Sequence, residues 1–470
     1  MDEQEYIVQM KRCVGVITWN GFSLCLPFDL TVTFDGTIRI DLGSHPLTNQ
    51  NSWLLTAYYP KSTTMEVLTL DGKSPDGYHI LSKSVHLTKA APFSDQNGSF
   101  VTAEASASQM DIKVTEVADH PTAEWMAEFW SAGLRCFRQV EMDSEHGEIC
   151  VAGASTVEDF GRICGVVRVK KCLDANTDQG AWLSLVEETV RRVQDMLSFS
   201  DGRFISTNIR QTFQNGELRQ ISLYGRRSVT RPYKPPFSYL NLVPVLGLAV
   251  SRYTKKLIDK TGMDVALEWH LMPHHYNEAR FLAQMTALEH LVHVFSKLHS
   301  SSSIFPKTPN LFKQKIKPGI EAKLDDLQRE LGSLEKLPDG FDLATAITAA
   351  KTKLDELNRQ SLRTNLFAML AKYRVPLDGL EDFIQKKNKK QDKTVPDLIS
   401  IRNDIVHSGL HKFEDNEGAL GQCVAAAEEL LRRIFFSFLE YEGNYKTYFK
   451  TVEDRTFRRC SPAGTETSSL

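Results

Sequence analysis

Three polar residues late in the chain have types and spacing suited to moving a proton beside an anion. They are Arg402, Asn403 and His407, within Ile401-Arg402-Asn403-Asp404-Ile405-Val406-His407-Ser408-Gly409. An imidazole with an unperturbed pKa of about 6.5 can take and return a proton at neutral pH. A guanidinium can hold a phosphate through a planar fork that an ammonium cannot reproduce. Asn403 and His407 stand four residues apart and would share one face of a helix, where Asn403 would orient substrate or imidazole. Arg402 and His407 would be separated by roughly 140° around the same helix. Only the long arginine side chain, or a second chain, can then bring guanidinium and imidazole together. The same residues also have a plain structural use, since cations near a helix C-terminus oppose its dipole. Both uses stay open on these residues alone.

The element that must carry them reads as a short amphipathic helix. Thr394-Val395-Pro396-Asp397 has the form of a helix start, with Thr394 as the cap and Asp397 three residues on. Leu398, Ile401 and Ile405 recur at helical spacing, and Gly409 suits a left-handed terminus. Immediately upstream lies the basic run Lys386-Lys387-Asn388-Lys389-Lys390-Gln391-Asp392-Lys393. Charge runs are mostly solvated, but Lys386, Lys387, Lys389 and Lys390 would sit near the start of the helix that carries Arg402. The clearest helix is Asn277 to Leu298, with Phe281, Leu282, Met285, Leu288, Val292 and Phe295 as its stripe. Glu289 edges that stripe. A carboxylate there needs a cation, and Arg402 is a candidate. Further helices are expected at 320–331, 343–373, 377–387 and 420–441, and their short connections suit an antiparallel bundle.

The first half has a different texture. From about Cys13 to Thr115 short runs of branched and aromatic residues alternate with polar ones, punctuated by turns such as Asp35-Gly36. Residues 53–59 read as one more strand in this series. The pattern predicts an antiparallel sandwich or a strongly bent sheet. Farther on, 125–140 fits strand or helix equally, 161–169 reads as a strand, and 181–197 reads as a helix buried through Trp182, Leu185, Val186, Val193 and Leu197. A hairpin around Asn215-Gly216 follows. The expected fold class is therefore α+β. A β-rich region, 1–245, is read either whole or as subdomains 1–120 and 121–245. A helical bundle over 262–450 and a disordered tail over 451–470 complete it, with the boundary somewhere in 230–265.

Composition narrows the function classes. Lysines and arginines number 56 against 59 acids, which excludes a protein that holds nucleic acid by bulk charge but not one with a local basic patch. No apolar run approaches the roughly 20 residues a membrane helix needs. The acidic start, Met1-Asp2-Glu3-Gln4-Glu5, lacks the order of a secretory signal, so a cytoplasmic protein is expected. The eight cysteines form no C-x-x-C pair and read as reduced thiols. His270, His274 and His275, with His290 and His293, raise the question of a metal. No acid or cysteine completes a set at ligand spacing, so none is expected.

The string from Ser400 to Gly409 resembles the spaced arginine and histidine signature of HEPN domains, most of all in the ApeA-like branch. Ala287-Leu288-Glu289 resembles the first long helix of that domain. The helix that runs through Ser200-Asp201-Gly202-Arg203-Phe204 into a hairpin resembles the region preceding it. The resemblance implies a metal-independent, cofactor-free endoribonuclease of antiphage defence, cleaving RNA through attack by its 2′-hydroxyl. Arg402, His407 and Asn403 would be catalytic and Glu289 supporting. It further implies a homodimer or higher oligomer, and a phage-derived trigger. The alternative is a non-catalytic HEPN dimerisation or sensing module whose β-rich half recognises a ligand or trigger. Arg226, Arg227, Arg231 and Lys234, interleaved with Tyr233 and Phe237, could touch an RNA strand, although a proline-broken surface linker explains them more simply.

Overall fold

The computed structural model describes residues 6–59, 67–96, 98–114, 122–136, 138–154, 162–174, 177–225, 233–238, 240, 242–274, 276–299, 304–305, 310–332, 342–354, 358, 360–384, 397–408 and 417–460. The chain forms two compact units, Met1–Thr254 and Lys255–Leu470. The α+β expectation holds: the first unit is built on a large antiparallel sheet, and the second is mostly helical.

The first unit begins with β1 (Tyr6–Trp19), β2 (Phe22–Thr33) and β3 (Ile38–Pro46), followed by helix α1 (Trp53–Tyr58). Then come β4 (Leu68–Lys73), β5 (Tyr78–Asp95), β6 (Gly98–Ala107) and β7 (Gln109–Val114). Strand neighbours run β4-β1-β2-β3-β6-β5, and β4 also pairs with β5, so the bent sheet closes into a ring. Closure removes free strand edges and creates an inside. Cys13, Gly15 and Ile17 of β1 point inward while Val14 and Val16 face out, the period of two that a strand imposes. Leu26, Phe28, Leu30, Ile40, Leu70 and Val101 help fill the interior.

Residues 53–59 are not the strand expected. Trp53, Leu54 and Ala57 fall on one side of α1 and join the barrel core, with the Trp53 ring stacked 5.8 Å from Trp19. Six residues rich in apolar and aromatic types carry no period that separates helix from strand. Burial against the barrel decides for the helix.

The long strand β5 joins the barrel to the remainder of the same sheet. Its later residues pair with β6, while Tyr78–Leu81 pair with β7 and lead the sheet away from the barrel. That extension adds β8 (Thr122–Ala132), β9 (Val140–Ser144), β10 (Gly147–Ala152), β11 (Ile163–Asp174), β12 (Thr207–Gln214) and β13 (Glu217–Tyr224), in the order β7-β13-β12-β8-β11-β10-β9. The ambiguous segment after Trp125 is thus strand as far as Ala132. Asn215 and Gly216 both have positive φ, the twist a two-residue hairpin needs. Helix α2 (Gln179–Asp201) buries Val186, Val190, Val193, Met196 and Phe199, and α3 (Val243–Ser251) packs beside it. Asp178 caps α2 by accepting from the amides of Gly180 and Ala181, and left-handed Gly202 ends it.

The second unit contains α4 (Lys255–Thr261), α5 (Met263–Leu271) and α6 (Asn277–Leu298), then a π-helical turn, Phe312–Ile316, that leads into α7 (Lys317–Gly332). After these come α8 (Leu343–Thr352), α9 (Leu362–Tyr373), α10 (Glu381–Ile384), α11 (Leu398–Ser408) and α12 (Glu417–Phe438). The single helix expected over 343–373 is two, because the Ser361 hydroxyl accepts from the Thr364 amide at 3.1 Å and starts α9 afresh. Of the helix expected over 377–387, 381–384 is helical as α10, 378–380 is a turn, and 385–387 lie outside the described residues. Nor is 451–460 a tail: β15 (Glu453–Phe457) pairs with β14 (Gly443–Thr447), and Phe457 packs on Phe436 of α12. Residues 461–470 lie outside the described residues.

Inside the barrel Gly15 and Gly72 stand opposite each other, with the Phe28 ring against them. A Cβ on Gly15 would lie 2.8 Å from both the Asp71 carbonyl oxygen and the Gly72 Cα, neither of which can move aside. Gly15→Ala should therefore cost about 1–3 kcal/mol in denaturant unfolding of the first unit. Val16→Ala, next along β1 but on the outer face, should change stability by less than about 0.5 kcal/mol.

Candidate functional site

Helix α11 is shorter at its start than the sequence suggests. Asp397 is the cap: its carboxylate accepts from the Ile399 amide at 3.1 Å and from the Ser400 hydroxyl at 2.9 Å. The same carboxylate pairs with Arg363 of α9, whose guanidinium also donates to the Ile384 carbonyl. Thus the beginning of α11 is pinned to α9 and α10. Thr394, Pro396 and Gly409 lie outside the described residues, as do Lys386, Lys387, Lys389 and Lys390. Leu398, Ile401 and Ile405 are buried, and Asn403, Asp404 and Val406 are exposed, which settles the inner and outer faces of the helix.

Arg402 reaches from α11 to Glu289 of α6. Nη2 donates to Oε2 at 3.0 Å, and Nε lies 2.5 Å from Oε1. That second contact lacks hydrogen-bond alignment, since Oε1 has no hydrogen-bond partner, and is purely ionic. Nη1 donates to the Asn403 amide oxygen at 3.2 Å. Both members of the ion pair keep nearly a third of their side chains in contact with solvent. The carboxylate takes the Nε side of the guanidinium, and the Nη1 side is turned toward Asn403. Arg402, Asn403 and Glu289 are thereby brought together. His407 lies in the last turn of α11, four residues after Asn403. Its side chain is outside the described residues.

Helix α6 is itself held by charge. Arg280 pairs with Glu428 of α12, which is almost fully buried. Beside it Glu429, with no exposure, accepts from Tyr445 at 2.6 Å, Thr447 at 2.9 Å and Arg433 at 3.0 Å. Arg433 continues to the carbonyls of Pro376 and Asp378, both at 3.1 Å. Burial, with Glu429 adjacent, pushes the Tyr445 hydroxyl up to about 12. Sequence reading missed this network because Glu428-Glu429-Leu430-Leu431-Arg432-Arg433 looks like a solvated helix face. The available signal was that apolar residues surround those charges on every side of α12, which marks a buried helix.

The other candidates resolve individually. His270 is a core residue: its Nδ1 meets the Gln284 side-chain oxygen at 2.6 Å, its ring packs edge-on to Phe435, and burial holds its pKa down at about 4. Burial also lowers His290, and His275 lies outside the described residues. Among the described residues no group of His, Cys, Asp and Glu is arranged to hold a metal ion. Burial raises Cys13 to about 11 and Cys423 to about 12, so neither is a ready thiolate. Residues 226–232 lie outside the described residues, while Phe237 packs on Phe199 and the Tyr233 amide meets the Gly202 carbonyl at 3.4 Å. Among the described residues no helix is long and apolar enough to cross a membrane. Compared with known proteins, the chain matches no family model and no curated sequence.

The neutrality of His270 has a measurable consequence. Its folded pKa lies below the value of about 6.5 expected when unfolded. The unfolded chain therefore binds the extra proton first as pH falls. The stabilisation is whole above about pH 6.5 and is lost progressively down to about pH 4, on the order of 3 kcal/mol. Denaturant unfolding of the helical unit across this range should show the loss. His270→Gln should remove that part of the pH dependence.

Proposed function

We propose that the helical unit is a metal-independent endoribonuclease of HEPN type, with its site on α11. The observation that carries this reading is the clustering of Arg402 and Asn403, on the helix that also bears His407, with Glu289 of α6. Glu289 orients the guanidinium through Nε and Nη2, and Nη1, which gives one proton to Asn403, has a second to offer a phosphate oxygen. In the proposed reaction His407 removes the proton of an RNA 2′-hydroxyl, and that oxygen attacks the adjacent phosphorus. The bond from phosphorus to the 5′-oxygen breaks, and the departing oxygen takes up a proton. Arg402 steadies the charge that develops on the phosphoryl oxygens, and Asn403 orients substrate or imidazole.

Two copies of α11 meeting at a two-fold axis would supply a second His407 and shorten the path between guanidinium and imidazole. Exposure of Asn403 and Val406 on the outer face of α11 supports such a pairing. A role in antiphage defence, set off by a phage-derived trigger that the first unit detects, belongs to the same proposal and rests on the resemblance of residues 400–409 alone.

Light scattering at micromolar concentration should give at least twice the chain mass of 53.1 kDa. A value near the single-chain mass throughout would remove the composite cleft.

Incubation with RNA should yield products ending in 2′,3′-cyclic phosphate and beginning with 5′-hydroxyl. A chelator should leave the rate unchanged, and DNA of the same sequence should stay intact. His407→Ala should lower the rate by about 10²–10⁴-fold. Arg402→Lys should be badly impaired although its charge is kept, and Glu289→Gln should fall between it and the wild type. Circular dichroism should show all three variants folded. Undiminished cleavage by folded His407→Ala would move the site off α11, and the unit would then be read as an interaction module.

A further inference from the structure

A cavity of about 370 Å³ opens in the first unit, remote in sequence from the residues discussed above. Its walls come from the hairpin joining β9 to β10, from α2 and from α3, through Asp143, Ser144, His146, Thr189, Arg192 and Val250. The walls are built rather than incidental. Trp182 Nε1 donates to the His146 carbonyl at 3.0 Å, and the Ser144 hydroxyl donates to the Gly147 carbonyl at 2.7 Å. Thr189 donates to the Leu185 carbonyl at 3.0 Å, so its oxygen is held in place to accept from Arg192 Nη2 at 3.1 Å.

Arg192 is the anomaly. It is 8 % exposed, and among the described residues no carboxylate lies within ion-pair distance of it. Its Nε is shielded from solvent and has no hydrogen-bond partner. The other deeply buried arginines each have an acid within ion-pair distance: Arg203 has Asp201 at 2.5 Å, Arg433 has Glu429 at 3.0 Å and Arg432 has Glu429 at 3.9 Å. A guanidinium carries five donors, and leaving such a charge buried without a counter-charge is strongly destabilising. The cavity beside it has the size of a small-molecule site.

We propose that this cavity binds a small organic oxyanion, a carboxylate or phosphate monoester, whose oxygens pair with Arg192. The exposed carboxylates of Asp143 and Glu145 line the same cavity. They select against polyanions, nucleic acid included, and favour a ligand with a hydroxyl or amino group beside its single anionic group. The hairpin and α2 would close around such a ligand, because both contribute to its walls.

The test uses the full chain and hydrogen exchange, with L-lactate, glycerol 3-phosphate and inorganic phosphate as probes and potassium chloride at matched ionic strength as control. At least one probe should protect β9, β10 and the first half of α2 beyond the chloride control. Lactate against glycerol 3-phosphate separates a carboxylate from a phosphate ligand. Arg192→Met should raise the half-saturating concentration by at least about tenfold, the loss expected for a hydrogen bond to a charged group. The same variant should melt higher than the wild type without probe, because it removes a buried charge that lacks its partner. Arg192→Gln makes the same comparison should the methionine variant not fold. Protection of neither protein, equal protection of both, or a lower melting temperature for the folded variant without probe would each overturn the proposal.

Discussion

A carboxylate removed from water must be held by the protein, and two adjacent ones on α12 set the arrangement of the helical unit. Glu428 faces Arg280 of α6, while Glu429 faces Arg433 and the hydroxyls of Tyr445 and Thr447. Taking away one partner of such a pair strands a buried charge, at a cost of several kcal/mol. The pairs therefore fix which elements α12 touches and in what rotation. Glu289 lies nine residues after Arg280, about two and a half helical turns, and so on the opposite side of α6. One face of α6 is thus locked to α12, and the other presents the carboxylate that meets Arg402.

Such a chain of constraints gives the partly exposed ion pair on α11 a precision that it would not have alone. Exposed pairs are worth little in stability, because solvent screens them and both side chains lose freedom. Here the stabilisation comes from Leu398, Ile401 and Ile405 below, and from Arg363 on Asp397 at the helix start. The Arg402–Glu289 pair is then free to serve orientation. A site built on a helix whose ends and rotation are set elsewhere keeps its geometry when a substrate phosphate draws on the guanidinium.

The first unit solves a different problem, that of a long antiparallel sheet with edges. The strand β4 pairs on both sides and closes the ring, while the first residues of β5 pair with β4 along one edge and with β7 of the outer sheet along the other. Several of the charged and polar groups that enter its interior meet a partner: Asp201 takes both Arg135 and Arg203, and the Asn208 side chain accepts from the Ala132 amide at 2.9 Å. Against that background the unpaired Arg192 stands out by its chemistry rather than by its position.

By itself the sequence determined what is local. The stripe of α6 runs for 22 residues, enough for the helical period to mark both ends, and the observed limits are those read from it. Asn215-Gly216 and Asp35-Gly36 announced their turns because few residue types accept positive φ there. The motif helix was legible from three apolar positions, although Asp397 rather than Thr394 caps it, since several polar residues before a helix can compete for that role. Only the tertiary structure decided what depends on distant partners. The six residues of α1 became helix against the barrel, β4 became the strand that closes it, and Glu428 and Glu429 became core. Periodicity is written within one segment and can be read there. The face a segment turns, and the charge it meets, arise from residues a hundred or more positions away, as Glu289 and Arg402 are.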